Sequence, residues 1–471
     1  MNSILYRTRY LIMLLSLTGC SLAPEYKRPD LPIADSYQIT DKQLDGAALL
    51  QQDWSQFYRD ERLRQLIQLA LKNNRDLRIA TLNSERLQGD YQIRVAQQWP
   101  TINAGIAQEH TRPEASNDQA TYGVPITSYE LDLFGRVQSL KEAALAEYFA
   151  SIASQRAAQI TIMAAVATAD YSLRVDEQLL KLARSSLHTQ QQKRDLLGKR
   201  VKEGLDSQAV YEQQLAMVQD AVVNVAQREQ QLAQDQHALL LLLGVPKLPS
   251  QLANSTTSDQ EEAISELPVL PSGLPADLLV RRPDIIALEQ RLRAMNANIG
   301  AARAAFFPRI TLTGSFGRAS STLSHLFEHS VRGWSFSPDL TLPLFDFGAN
   351  EANLDVAKAE KDIAVAEYEK GIQTAFKEVA DALTAEDSLR QMADAASTKA
   401  QALSKREAIA LQRYRLGSDS QIEWLNAKGD WLEAQQIQLQ SHLQQQLNRI
   451  SLYKVLGGGW NTAELEKMTS H

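Results

Sequence analysis

Polar and apolar residues alternate one for one along Arg309-Ile-Thr-Leu-Thr-Gly-Ser-Phe-Gly317, with Ile310, Leu312 and Phe316 on one face and Thr311, Thr313 and Ser315 on the other. Gly333 to Leu344 repeats the design, setting Trp334, Phe336, Leu340 and Leu342 opposite Ser335, Ser337, Asp339 and Thr341. A period of two predicts strands, and both runs suit tilted membrane strands of about 9 to 11 residues. The polar stretch Arg318 to Arg332 between them reads as an external loop. Thr101 to Glu109 and Tyr122 to Phe134 follow the same plan less cleanly, with Thr111 to Thr121 as their loop.

After each strand pair the period changes. Gly135 to Gly204 and Gly348 to Gly417 contain no proline and are rich in Ala, Gln, Leu and Lys. Each predicts a helical rod of roughly 100 Å at 1.5 Å per residue. Val365, Tyr368, Ile372, Phe376, Val379 and Leu383 recur at steps of three and four, the stripe of a helix packed on one side.

The chain repeats itself at long range. Pro100 and Pro308, Phe134 and Phe345, Gly204 and Gly417, and Gly244 and Gly457 occur in the same order, and the offset drifts by only a few residues. A period this long points to duplication of a whole structural half rather than a short solenoid unit. The expected plan is a first repeat over 61–244, a Pro-rich linker over 245–280, a second repeat over 281–457 and a tail over 458–471. Each repeat reads helix, strand pair, long helix, turn, helix. The turns are RVKEGLDSQ at 200–208 and RYRLGSDSQ at 413–421. Gly204 and Gly417 suit the positive φ that ends a helix, while Asp206 or Ser207, and Asp419 or Ser420, suit the cap of the next one. Ser420-Gln-Ile-Glu423 has capping-box spacing.

The first twenty residues change the picture that composition alone would give. With 471 residues, 44% of them hydrophobic, the chain has enough for a large core, and a net charge of −7 without a long basic block excludes a nucleic-acid surface. Arg7 and Arg9, however, precede the apolar run Tyr10 to Leu17, which ends in Leu17-Thr-Gly-Cys20. That is an export signal over 1–19, too short to span a membrane. Cys20 is the only cysteine, so no internal disulfide can form. The stretch resembles a bacterial lipoprotein signal, whose cysteine becomes the acylated first residue. Ser21 in place of Asp favours the outer membrane on that resemblance. Residues 20–60 then read as an N-terminal anchor segment. One lipid chain anchors only marginally, so a second attachment is expected.

Four strands cannot close a barrel, and open edges facing lipid leave backbone groups unpaired at several kcal/mol each. Two chains give a barrel filled by its own side chains; three chains, with twelve strands, give the smallest one able to enclose water.

Several stretches together resemble the TolC-like outer-membrane efflux channels, in the lipoprotein branch that serves tripartite multidrug pumps. They are Leu17 to Tyr26, Asn73-Asn-Arg-Asp-Leu77, Tyr129-Glu-Leu-Asp-Leu-Phe-Gly-Arg136, Arg282-Pro-Asp284, Asn296 to Pro308, Ala375 to Leu383 and Leu456-Gly-Gly-Gly-Trp460. The resemblance covers essentially the whole mature chain. It implies a mainly α, α+β membrane protein: a trimer with a twelve-stranded outer-membrane β-barrel, a long periplasmic α-helical barrel and an equatorial girdle formed here by the termini and residues 245–280. It further implies that the turns close the periplasmic mouth, with the inner pair in the second half. Asp419 and Glu423, with Asp206, would gate that mouth. Arg200, Arg413 and Arg415 would bridge neighbouring tip helices as a latch. Those arginines with Gly204 and Gly417 would also meet a periplasmic adaptor. The partners implied are two further copies of the chain, that adaptor, an inner-membrane pump expected to be proton-driven, and outer-membrane lipid. Energy would come from the pump, so transport through this chain would be passive.

No cofactor and no catalytic residue is expected. Leu456-Gly-Gly-Gly-Trp460 lacks the Lys-Ser/Thr of a phosphate loop, and no Gly-x-Ser-x-Gly occurs. His325 and His329 stand four apart, but not in the zinc-protease order, and they fall in the expected external loop, so no metal is assigned. Two other readings fit parts of the pattern: a conduit for type I protein secretion, and a lipid-anchored periplasmic coiled coil with no pore.

Overall fold

The computed structural model describes residues 22–33, 54–109, 119–253, 266–268, 279, 281–320 and 331–458. Cys20, residues 110–118, residues 321–330 with His325 and His329, and most of the 245–280 linker lie outside the described residues. The helices are α1 (Trp54–Phe57), α2 (Glu61–Asn73), α3 (Arg75–Ala96), α4 (Arg136–Lys202), α5 (Gln208–Leu243), α6 (Ser250–Ala253), α7 (Pro283–Ala304), α8 (Ala349–Arg415) and α9 (Gln421–Val455). The strands are β1 (Gly105–Glu109), β2 (Gln119–Leu131), β3 (Arg309–Ser320) and β4 (Val331–Thr341).

Helices α4 and α8 have the same length, 67 residues each, and each follows a glycine in the left-handed region, Gly135 at φ 71° and Gly348 at φ 86°. These starts place Phe134 opposite Phe347, two residues beyond the pairing with Phe345 that the apolar runs suggest.

The chain divides into two compact units. One comprises residues up to Leu31, Thr81–Ser154 and Asp284–Gly371. It holds a single antiparallel sheet in the order β1-β2-β3-β4. Strand register turns the alternation into faces: Ile310 pairs with Leu340, Gly314 with Phe336 and Phe316 with Trp334, while Thr311 pairs with Asp339, Thr313 with Ser337 and Ser315 with Ser335. The Ser315 and Ser335 hydroxyls are 2.8 Å apart on the polar face. Phe316, Trp334, Phe336 and Leu340 are exposed, as expected of a face made for an apolar surrounding. A β-bulge between Ile126 and Tyr129 includes Ser128 at φ 44°.

The helices of this unit follow the order of the strands they adjoin. Gln98, just beyond α3, donates from Nε2 to Gln138 of α4 at 2.9 Å. Ala143 and Ala146 of α4 pack against Ala294 and Ala297 of α7. Between α7 and α8 the approach is tight enough that a Cβ on Gly371 would collide with Leu288. The sequence α3, α4, α7, α8 therefore parallels β1, β2, β3, β4.

The second unit comprises Pro32–Ala80, Gln155–Pro283 and Ile372 onward. Leu63, Leu66, Ile67 and Ala70 of α2 and Leu239 and Leu243 of α5 are fully buried. Gly244 ends α5 at φ 65°, and any side chain there would strike the carbonyl of Asn73. Asn74 joins the same junction: its Oδ1 accepts from the Leu77 amide at 3.0 Å, and its Nδ2 donates to the Leu242 carbonyl at 2.8 Å. Phe57 stacks on Tyr453 at 3.9 Å between centroids, with Tyr58 edge-on to both.

Buried charge is handled by networks in this unit. Asp170, with a fully buried side chain, meets Arg62 and Arg174 at 2.7 Å each, and Arg174 also reaches Asp60 at 2.7 Å. Burial pushes the Asp170 carboxyl up against the pull of Arg174 and Arg62. At Asp60 burial acts in the same sense, but the hydrogen bonds from Arg174 and the Leu63 amide outweigh it and leave the carboxyl low. Removing one member would strand an unpaired charge, at about 3 to 5 kcal/mol. Arg449 similarly joins Glu386 at 3.1 Å to the Leu267 carbonyl at 2.9 Å.

Candidate functional site

Each hairpin turns on the same local chemistry. The Leu205 amide donates to the Arg200 carbonyl at 2.9 Å and the Gly204 amide to Val201 at 3.0 Å; at the second tip Ser418 bonds to Arg413 and Gly417 to Tyr414 at the same two distances. These are paired helix-end bonds that need a left-handed residue, supplied by Gly204 at φ 72° and Gly417 at φ 74°. Nothing crowds either glycine, so the backbone angle alone requires it.

The expected caps divide. Ser420 is the N-cap of α9 and its Oγ accepts from the Glu423 amide at 3.2 Å, whereas Ser207 caps α5 without a side-chain bond. The two aspartates act differently: Asp206 pairs with Arg200, and Asp419 takes both Nε and Nη2 of Arg413, at 2.8 and 3.2 Å. Each arginine thus clips the end of one helix to the start of the next within its own tip. Arg415 ends α8 exposed, and Glu423 is exposed with Arg406 at 3.5 Å.

The second tip carries further bracing that the repeat pattern did not reveal. Trp424 stacks on Tyr414 with rings nearly parallel, and its Nε1 donates to Glu407 at 2.7 Å. Arg406 also meets Asp430 at 2.5 Å. The signal lay in the sequence only as Tyr414 and Trp424, aromatics flanking the turn ten residues apart.

At the sheet's root Glu130 binds Arg136 at 2.6 Å and Arg309 at 2.8 Å, and Phe134 stacks on Phe307 at 4.7 Å. The start of the described chain lies along α7 in the opposite direction. The Leu22 carbonyl accepts from Arg303 at 3.1 Å, Ala23 sits on Gly300, the Pro24 carbonyl accepts from Asn296 at 2.7 Å, and Arg28 pairs with Glu289 at 2.7 Å. The segment therefore runs antiparallel to α7, with Leu22 near the C-terminal end of that helix, the end that leads into β3.

Among the described residues no helix is long and apolar enough to cross a membrane, and no three His, Cys, Asp or Glu gather as a metal site would require. A four-stranded sheet with one apolar face, carried on long helices, has the build of an outer-membrane channel protein. The sequence profile of the outer membrane efflux protein family matches residues 66–245 and 274–458, and the chain belongs to that family. It is 40% identical over 459 residues to the antibiotic efflux pump outer membrane protein ArpC of Pseudomonas putida, covering 94% of this chain and 93% of that one. The toluene efflux pump outer membrane protein TtgC of the same species matches to the same extent. The crystal structure of the open state of the MtrE outer membrane channel of Neisseria gonorrhoeae superposes with a TM-score of 0.77 at 33% identity, covering 93% of this chain and 98% of that chain. The chain is thus an outer-membrane efflux channel protein.

Proposed function

We propose that three copies of the chain form the exit duct of a tripartite efflux system, carrying drugs and other small toxic compounds handed over by a periplasmic adaptor and an inner-membrane, proton-driven pump. The observation that carries this reading is the near full-length likeness to efflux-pump outer membrane proteins named for antibiotics and toluene. The four-stranded sheet supports the trimer: among the described residues β1 and β4 each have one unpaired edge, and a lipid-facing sheet must close. Twelve strands enclosing water, the duplicated halves and the equatorial girdle belong to the same reading. The paired strands weigh against a coiled-coil rod, and the relatives' names against a protein-secretion conduit.

The tips are proposed as the periplasmic mouth. Asp419 and Glu423, repeated by threefold symmetry, would ring the opening, with Asp206 outside them. Arg413 offsets part of the Asp419 charge, so Glu423, at the exposed start of α9, contributes the freer carboxylate. The latch takes the form of clips within each tip, Arg200 and Arg413, and adaptor contact would fall on these residues with Gly204, Arg415 and Gly417. Cys20 is proposed as the acylated residue. The position of Leu22, whose carbonyl accepts from Arg303 near the end of α7 that leads into β3, supports this.

Purified protein in planar lipid bilayers tests the proposal. Discrete conductance steps, together with heightened sensitivity to dyes, detergents and antibiotics in a deletion strain, are the expected results. A monomer without conductance would overturn it. Radiolabelled palmitate should enter the wild type and not Cys20→Ser.

A further inference from the structure

Strand β3 carries an arginine near each end, and the two are handled differently. At the root Arg309 lies on the polar side of the sheet, where Glu130 answers its charge at 2.8 Å. Toward the other end Arg318 stands directly opposite Arg332 of β4, so both side chains share one face. That face is the apolar one: Phe316 and Trp334 form the next pair on the same side, and Gly314 and Phe336 the one after. Arg332 is exposed and Arg318 half-buried, and among the described residues neither guanidinium pairs with a carboxylate.

Like charges set directly opposite on neighbouring strands stand about 5 Å apart at Cβ and repel each other. A lipid-facing arginine adds a cost that is large at mid-membrane and small at the interface. Position relieves this second cost. The step from Ile310 to Arg318 is about 27 Å along the strand, or about 20 Å of height at the usual barrel tilt, most of the apolar band of an outer-membrane barrel. Because β3 follows α7 and β4 leads into α8, the arginine pair marks the boundary remote from the helices, level with the outer headgroups. The repulsion is left, and an anion held between the two guanidinium groups removes it. Trp334, 77% exposed, and Phe316, 64% exposed, lie directly below and offer an apolar surface that a free ion does not use.

We propose that Arg318 and Arg332 bind the phosphate of an anionic lipid in the outer leaflet, the two guanidinium groups taking the headgroup while Phe316, Trp334 and Phe336 take its acyl chains. A guanidinium presents its donors as a planar fork that suits two oxygens of one phosphate, which an ammonium holds only as a point charge. Acyl chains on the aromatic face are what set this ligand apart from free phosphate. The assignment rests on the sheet lying in the outer membrane with its root on the periplasmic side, as proposed above.

The test is binding to the full purified chain in non-ionic detergent, with diphosphoryl lipid A, the same lipid stripped of both phosphates, and inorganic phosphate as probes. The wild type should bind diphosphoryl lipid A about tenfold more tightly than either of the others. Arg318→Ala with Arg332→Ala should lose that tenfold preference and leave binding of the stripped lipid as it was. Arg318→Lys with Arg332→Lys keeps the charge and should lose only about threefold. Equal binding of diphosphoryl lipid A by the wild type and the alanine pair would overturn the proposal. So would a lysine pair as weak as the alanine pair, because the loss would then reflect damage to the strands rather than missing charge. Inorganic phosphate bound as tightly as the lipid would overturn the lipid assignment and leave a plain anion site. Failure of the channel reading shows elsewhere, as a wild type that does not conduct in planar bilayers; a conducting wild type with no preference for the phosphorylated lipid overturns this inference alone.

Discussion

At the first tip Arg200 holds Asp206, and Tyr211 lies against Gly198, where an added Cβ would stand 3.2 Å from the ring. At the second, Arg413 holds Asp419 in the same way, but Trp424, Tyr414, Glu407, Arg406 and Asp430 add a stacked and hydrogen-bonded brace. The contrast extends up the hairpins. Asp176 of α4 faces Asp235 of α5, and burial, followed by the Asp235 carboxyl itself, pushes the Asp176 pKa up to about 7 despite Arg228 at 4.0 Å. The equivalent of Asp235 in the second hairpin is Asn448, whose Nδ2 donates to Glu386 at 3.2 Å and to the Ala382 carbonyl at 3.0 Å. One hairpin is closed by bonds that need no proton; the other has a carboxylate pair that does. Identical turns can thus sit on hairpins with different conditions for opening.

The largest effect should come from charge at the mouth. Removing both Asp419 and Glu423 as Asp419→Ala with Glu423→Ala is expected to lower cation preference in planar bilayers several-fold, about 3- to 10-fold, with the larger share from Glu423, while Asp206→Ala changes it little. Equal effects at both tips would erase the distinction between inner and outer hairpins. Trp424→Ala should come next, opening the second tip to hydrogen exchange by about 2 to 3 kcal/mol, since a stacked ring and a charge-assisted hydrogen bond are both lost. Tyr211→Ala should loosen the first tip less.

A pH dependence should separate the hairpins. Because the folded Asp176 binds its proton more tightly than the unfolded one, its contribution to stability is fully present below the ordinary carboxylate range and is lost as pH rises through about 7. Protection from hydrogen exchange in α4 and α5 near these residues, relative to the base-catalysed intrinsic rate, should fall about tenfold between pH 6 and 8, and Asp235→Asn should flatten the change. Exchange around Asn448 should show no such step. The smallest contrast is at the caps: Ser420→Ala should cost about 1 kcal/mol in local stability, and Ser207→Ala, which loses no side-chain bond, a few tenths.

The parts legible in the sequence were those fixed by local geometry. Proline-free runs gave the two long helices, the alternation from Ile310 to Leu342 gave a strand pair whose faces agree with the register, and Gly204 and Gly417 marked the turns. The first strand pair was less legible. β2 begins at Gln119, inside the stretch read as loop, and ends at Leu131, and β1 begins only at Gly105. Its bulge at Ser128 breaks the period of two on which the reading depended. Of the two candidates offered for each cap, the structure takes the serine, Ser207 and Ser420, and leaves Asp206 and Asp419 to pair with Arg200 and Arg413. The Asp60, Arg62, Asp170 and Arg174 network was invisible, since its members lie on segments about a hundred residues apart and no pattern along the chain joins them.

The strand of backbone from Leu22 to Arg28 has a practical consequence for anyone exporting this protein under a foreign leader. A processing site placed a few residues too late would remove not a disordered stub but the partners of Asn296, Glu289 and Arg303, and would leave Gly300 as a bare notch in α7. A foreign leader should therefore keep every residue from Leu22 onward, and a version whose chain begins after Arg28 should be judged as a helix stripped of its cover.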